Sequence, residues 1–275
     1  MQKHFLINVL FFLISTVSFS QWSSNFSADT ETYVFADIVE VKSAPSLEST
    51  AIDTLSAGYT VLIKKSMAET SVLNGIEAKW VQISYTKNGI KQDGYVWSGF
   101  LAFNPLRKGE IKFVYGADRI FKKDSIDIFD LEIKVYRKEK QVGIFKFPLD
   151  YYSESFSFIS ANVYDNKGLK NIEQIIEIEI GGEACGISNR IHYFGFGNNE
   201  IISIFNTVSV FDEDYYKEDL VFPTDKGGKP NVVFLKTENS EDTGKNDKKG
   251  NPIYIKKKET KLFKWNGKVL SQYKN

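Results

Sequence analysis

What most limits the possible folds of this chain is how it is punctuated. From Tyr33 onward, short runs of β-branched and aromatic residues are divided by turn-forming ones, as at Tyr59–Ile63, Trp80–Tyr85, Gly94–Trp97, Ile111–Tyr115, Asp130–Tyr136, Val142–Phe147, Glu154–Val163 and Ile191–Phe196. Runs of this length and chemistry suit a pleated, half-buried surface. The stretch Ile176-Glu177-Ile178-Glu179-Ile180 alternates strictly, which sets Ile on one face of a strand and Glu on the other. Asn-Gly occurs at Asn74-Gly75, Asn88-Gly89 and Asn266-Gly267, and the last two pairs lie between strand-like runs. There they predict hairpins, because a type I′ turn needs positive φ at both central positions. Segment Phe263–Leu270 is one such hairpin. Helical spacing is sustained nowhere after residue 20, so the fold class expected is all-β.

Residues 1–20 stand apart. A short basic start (Lys3, His4) leads into the apolar run Phe5–Ile14, and small residues follow, with Ser18 and Ser20 placed for cleavage before Gln21. That order is a secretory signal peptide, and its apolar run is shorter than the roughly 20 residues a membrane-spanning helix needs. The expectation is an exported protein, periplasmic or extracellular, with no integral membrane segment after cleavage. Losing Lys3 leaves 34 basic against 35 acidic side chains, starting from 35 of each. Such a balance argues against nucleic acid, whose phosphates require a basic surplus. Apolar residues at 42% and charged ones at 25% exclude global disorder. The single Cys, Cys185, cannot close an intrachain disulfide and reads as a small buried hydrophobe.

A Pro-, Gly- and charge-containing stretch, Phe103–Glu110, suggests a boundary between a first domain over 33–102 and a second over 105–275. The polar tract Thr237–Asn251 reads as a long mobile loop before the final hairpin. In the first domain the signals come in a fixed order. Val41-Lys42-Ser43-Ala44-Pro45-Ser46 is followed by Ile52, Leu55 and Gly58, then by Trp80 to Ile83, and Gly94-Tyr95-Val96 runs on to Leu101. Several short strands without a helix make a small barrel, filled by Val, Ile and Leu with aromatic side chains at its mouth.

This order resembles the bacterial SH3 (SH3b) domain family, over about a quarter of the chain. Lys42 stands where that family usually has Arg, and Lys65–Ala78 lengthens the loop before Trp80. The resemblance implies a binding or targeting module that recognises cell-wall (peptidoglycan) peptide or an envelope protein through an aromatic groove. Trp80, Tyr85, Tyr95 and Trp97 are the aromatic candidates. Alternation puts Tyr95 and Trp97 on one face and Val96 on the other. Trp80 and Tyr95 also suit barrel core, and Tyr85, Tyr95 and Trp97 are the residues expected to bind ligand.

The second domain is expected to be a larger antiparallel β unit, sandwich or partial propeller-like. Gly181-Gly182-Glu183-Ala184-Cys185-Gly186 reads as a sharp turn, since no helix or Lys-Ser/Thr pair follows to make a phosphate cradle. Cys185 and His192 lack a third group to orient the base, and the expected strand setting of the Cys loop does not suit a thiol nucleophile. One Cys and one His also fall short of a zinc site. Asp165–Asn171 (DNKGLKN) and Asp225–Asn231 (DKGGKPN) are mutually similar, and Lys at inner positions favours structural turns over calcium loops. The acidic cluster Asp212-Glu213-Asp214 with Glu218-Asp219 reads as a solvated loop. No catalytic residue, metal or cofactor is assigned. The functional expectation is a non-enzymatic binding protein of the cell envelope. The alternative is an envelope hydrolase of unrecognised type, targeted by the first domain.

Overall fold

A computed structural model of the chain describes residues 26–124, 126–151, 158–182, 187–211 and 215–273. The leader 1–20, Cys185 and Asp212-Glu213-Asp214 lie outside the described residues. Within them the structure is antiparallel β throughout, with one 3-10 turn at Ser98–Phe100. The all-β expectation is met.

The first sheet contains β1 (Glu31–Tyr33), β2 (Ile38–Lys42), β3 (Ala51–Ser56), β4 (Thr60–Leu73), β5 (Ile76–Lys87) and β6 (Ile90–Trp97), ordered β1-β4-β5-β6-β2-β3. A single register pair, Lys42↔Tyr95, joins β2 to β6, and an isolated bridge joins Val34 to Leu101. The sheet therefore curls into a half-barrel around Val39, Val41, Leu55, Ile63, Ile83 and Val96. Two of its hairpins turn on Asn-Gly, with φ of 52° and 78° at Asn74-Gly75 and 53° and 77° at Asn88-Gly89. These are the paired positive values that a right-twisted two-residue turn demands. The first of them corrects the expectation of a loop over Lys65–Ala78. That segment instead extends β4 and β5 as a ribbon, and Ile120 donates its N–H to the carbonyl of Asn74 at its tip.

The second sheet contains β7 (Leu106–Lys108), β8 (Ile111–Lys123), β9 (Ile126–Arg137) and β10 (Lys140–Tyr151), ordered β10-β9-β8-β7. The third is one eight-stranded meander of β11 (Phe158–Asp165), β12 (Gln174–Gly181), β13 (Ser188–Gly197), β14 (Glu200–Val210), β15 (Tyr216–Val221), β16 (Val232–Asn246), β17 (Pro252–Trp265) and β18 (Leu270–Tyr273). Each strand pairs with its neighbour in sequence, so separate propeller blades are not formed. The tract 237–251, expected as a loop, is mostly strand: β16 runs to Asn246 and β17 resumes at Pro252. The turn at Asn266-Gly267 does separate two paired strands, β17 and β18. It does so as a wider loop, in which the Asn266 side chain accepts the N–H groups of Lys268 and Val269.

The layers follow from alternation. On β8, Ile111, Phe113, Tyr115 and Ala117 enter a core shared with Ile176, Ile178 and Ile180 of β12 and with Phe194 and Phe196 of β13. The Phe113 and Phe196 rings meet edge to face at 5.9 Å, the geometry their quadrupoles favour. The intervening residues of β8 face the half-barrel, where a methyl group at Gly116 would come within 2.8 Å of the Phe35 ring. The second sheet is thus covered on both faces. So is β12: Ile176, Ile178 and Ile180 point one way, and Ile175 with the half-buried Glu177 and Glu179 lies on the other face, beside the cluster of Tyr193, Phe222 and Val233. The two similar segments meet one another. Thr224 donates its N–H to the carbonyl of Lys167, and the Lys167 ammonium lies 3.6 Å from the Asp225 carboxylate and 5.2 Å from the centre of the Phe222 ring.

Candidate functional site

The three aromatic residues expected to bind ligand do not converge. Tyr85 is 3% exposed and belongs to the interior of the half-barrel. Its hydroxyl lies 3.0 Å from both the Asp53 carboxylate and the Gln92 side-chain oxygen. Burial first, and then Asp53, push the phenol above its ordinary pKa. Val96 also points inward, and Tyr95 and Trp97 point outward on the opposite face, as alternation requires. Tyr95 is half-buried against the core that contains Trp80 and Trp97. Trp97 is only 2% exposed, and its indole N–H donates to the carbonyls of Ser71 and Ala78, each at 3.0 Å. Trp80 donates to the Ser71 hydroxyl at 2.9 Å. Tyr85 and Trp97 therefore lie on different faces of the half-barrel, each buried. The outer aromatic face of the half-barrel is covered by its own β4–β5 ribbon and by the core of the second and third sheets.

One edge of Trp97 still reaches a recess. Between the half-barrel and the second sheet lies a cleft of about 440 Å³ whose walls include Phe35, Trp97, Phe100, Ala117 and Ile144. Gly99 shapes it, because a Cβ there would fall 2.1 Å from the Trp97 ring. Phe100 packs edge to face on that ring at 4.9 Å. The polar part of the lining includes Asp37, Asn74, Asp118, Glu132, Lys134 and Lys146.

Glu132 and Lys134 lie on β9, on the face opposite Leu131, Ile133 and Val135, and their side chains are 4% and 5% exposed. The Lys134 ammonium donates to the Phe35 carbonyl at 2.8 Å and to Asp37 at 2.6 Å, lies 3.4 Å from Glu132, and sits 4.9 Å from the centre of the Phe35 ring. Lys146 approaches Glu132 from the other side at 2.7 Å. The hydrogen bond from Lys134 holds Asp37 below the usual carboxylate range, and the bond to Glu132 holds Lys146 above the usual ammonium range. Charges this deep persist only when paired and hydrogen-bonded. At the rim, Asp118 is exposed and pairs with no ammonium or guanidinium group among the described residues.

Sequence reasoning missed this site because a charged residue at every second position of a strand reads as a solvent face. Here that face is covered. The signal that could have found it is the pairing of Glu132 and Lys134 within the apolar run 131–135.

His192 contributes no nucleophile–base pair among the described residues. It is 9% exposed, its ring lies tilted against Phe147 at 5.7 Å and parallel to Phe194 at 6.3 Å, and its Nε2 has no hydrogen-bond partner. Burial depresses its pKa below the ordinary value. Glu218 accepts the Tyr216 hydroxyl and the Val208 N–H, so this part of the acidic cluster serves the sheet. Among the described residues no group of three or more His, Cys, Asp or Glu is placed to hold a metal ion. None of their helices is long and apolar enough to cross a membrane. Compared with protein-family models, curated proteins and solved structures, the chain matches none of them.

Proposed function

We propose that the chain is an exported, non-enzymatic binding protein of the bacterial cell envelope, and that it takes a peptide of the cell wall or of an envelope protein in the cleft between the half-barrel and the second sheet. The observation that supports this reading is the lining. Phe35, Trp97 and Phe100 offer ring surface beside Asp118, Asp37 and Lys146, so apolar contact and charges of both signs stand within one recess. A peptide end with a free amine and a nearby carboxylate is complementary to it. The few charges would fix orientation while the rings supply contact area. Asp118 would meet the amine.

The test is co-sedimentation with purified peptidoglycan, with soluble stem peptide as competitor. Asp118→Asn is expected to weaken retention roughly five- to tenfold, the scale of one partly exposed charge contact. Ile144→Ser should weaken it less. Wild-type protein that peptidoglycan does not retain, or an Asp118→Asn variant retained equally well, removes the cell-wall form of the reading.

A further inference from the structure

The β16–β17 hairpin outgrows the sheet that carries it. Its partner β15 stops at Tyr216, opposite Asn239, and β18 reaches only Leu262 on the other side. Beyond those points no other strand of the described residues pairs with the ribbon, which continues from Glu241↔Ile255 to Asn246↔Pro252, and no residue from 241 to 261 is buried. Between Ser240 and Lys258 six lysines stand against three carboxylates, in a chain that as a whole has 35 basic and 35 acidic side chains.

The carboxylates are already engaged. Glu241 holds Lys257 at 2.6 Å. Asp242 accepts the N–H of Gly244. Asp247 accepts the N–H groups of Lys249 and Asn251, which fold the tip. No carboxylate among the described residues pairs with Lys245, Lys248 or Lys249, which are left at the end of the ribbon. Ile253 and Ile255 share one face of it, 41% and 54% exposed.

We propose that this hairpin is an attachment arm whose occupant is an anionic phospholipid surface. Uncompensated lysines at a projecting tip are drawn to a negative bilayer, each strengthening partition roughly fivefold. Two isoleucines on one face add apolar contact at headgroup depth, which a soluble polyanion cannot offer. A second copy of the chain is the poorer fit, because lysines along an open strand edge repel added strands. This reading is independent of the peptide cleft, whose lining includes no residue of the hairpin.

The experiment is sedimentation of the chain from Gln21 onward, so that the apolar leader does not itself partition. It uses vesicles of phosphatidylcholine alone and of phosphatidylcholine with about one-third phosphatidylglycerol. Retention is expected only on the anionic vesicles and is expected to fall as salt rises. The triple substitution Lys245→Ala, Lys248→Ala, Lys249→Ala should reduce it about a hundredfold. The pair Ile253→Ser, Ile255→Ser should reduce it and leave the salt dependence unchanged. The proposal is overturned by absence of retention, or by a triple variant that binds as wild type does. It is equally overturned if the isoleucine pair proves indifferent while polyphosphate competes fully, which would make the arm a polyanion contact.

Discussion

At the scale of single residues, several side chains were placed on the correct face of their strands without their surroundings being legible. Alternation separates Val96 from Tyr95 and Trp97, and the structure keeps that separation. What alternation cannot state is which layer covers a face, and for that reason Trp97 and Tyr85 read as groove residues and Glu132 and Lys134 as solvated. His192 gives this a measurable consequence. Its imidazole is packed against Phe147 and Phe194, and burial depresses its pKa. The unfolded chain takes up a proton near pH 6.5 and the folded chain only at lower pH. The stabilisation from neutral His192 is therefore complete above about pH 6.5 and is lost as pH falls from there toward the folded value. We expect His192→Phe to remove that part of the pH dependence, at about 1.4 kcal/mol per unit of depression. Urea midpoints at about pH 7.5 and about pH 5 measure it. Wild type and variant losing the same stability between the two would show that His192 titrates as it does in the unfolded chain.

At the scale of elements, turn chemistry carried further than polarity did. The hairpin at Asn88-Gly89 and the strands around Asn266-Gly267 follow from the residues alone, because Asn and Gly tolerate positive φ. Other two-residue turns gave no comparable signal: Lys138-Glu139 adopts φ of 47° and 62°, and Asn198-Asn199 adopts 52° and 59°. The tract 237–251 reads as a loop because the exposed end of its ribbon buries no face, and polar residues then show no period-two signature; over 65–78 only a few apolar residues, Ile76 and Ala78 among them, turn inward, too few to stand out as a strand. Gly75 and Gly89 allow a direct comparison. Both sit at the second position of the same kind of turn, at φ of 78° and 77°. A Cβ at Gly89 meets nothing, whereas at Gly75 it would lie 2.1 Å from the Ile120 carbonyl oxygen. Gly89→Ala should cost about 1 kcal/mol, for the left-handed backbone alone. Gly75→Ala should cost at least about 1 kcal/mol more, since backbone must move on β8. Equal losses in thermal or urea unfolding would mean that the ribbon tip does not press on β8.

At the scale of the whole molecule, residues 33–102 and 105–275 were expected as two domains, and a linker-like stretch does run between them. Their cores are nonetheless continuous. Ile76, Ala78, Trp80 and Trp97 from the half-barrel share one cluster with Phe113, Ile133 and Phe194. Tyr33, Phe35 and Ala102 share another with Val114 and Tyr136. Two buried lysines of the second sheet reach across this junction. Lys134 donates to Phe35 and Asp37, and Lys112 lies 5.4 Å from the centre of the Tyr33 ring with its ammonium 3.4 Å from the Gly58 carbonyl. An independent module would leave Phe35, Trp80 and Trp97 in water, at roughly 1.5–3 kcal/mol for each large apolar side chain. The half-barrel and the sheets should therefore unfold together. In a Trp22→Phe, Trp265→Phe background, fluorescence reports Trp80 and Trp97 of the half-barrel, and circular dichroism reports all the strands; the two midpoints are expected to coincide. Lys134→Met should lower both by the same amount, roughly 3 kcal/mol, because it leaves Glu132 buried with Lys146 as its only cation and unties Phe35. Lys64→Met, which breaks only the exposed pair with Asp29, should cost at most about 1 kcal/mol. If Lys134→Met moved the fluorescence transition and left the circular dichroism midpoint in place, the half-barrel would be a separately folding unit and the cleft a junction free to open.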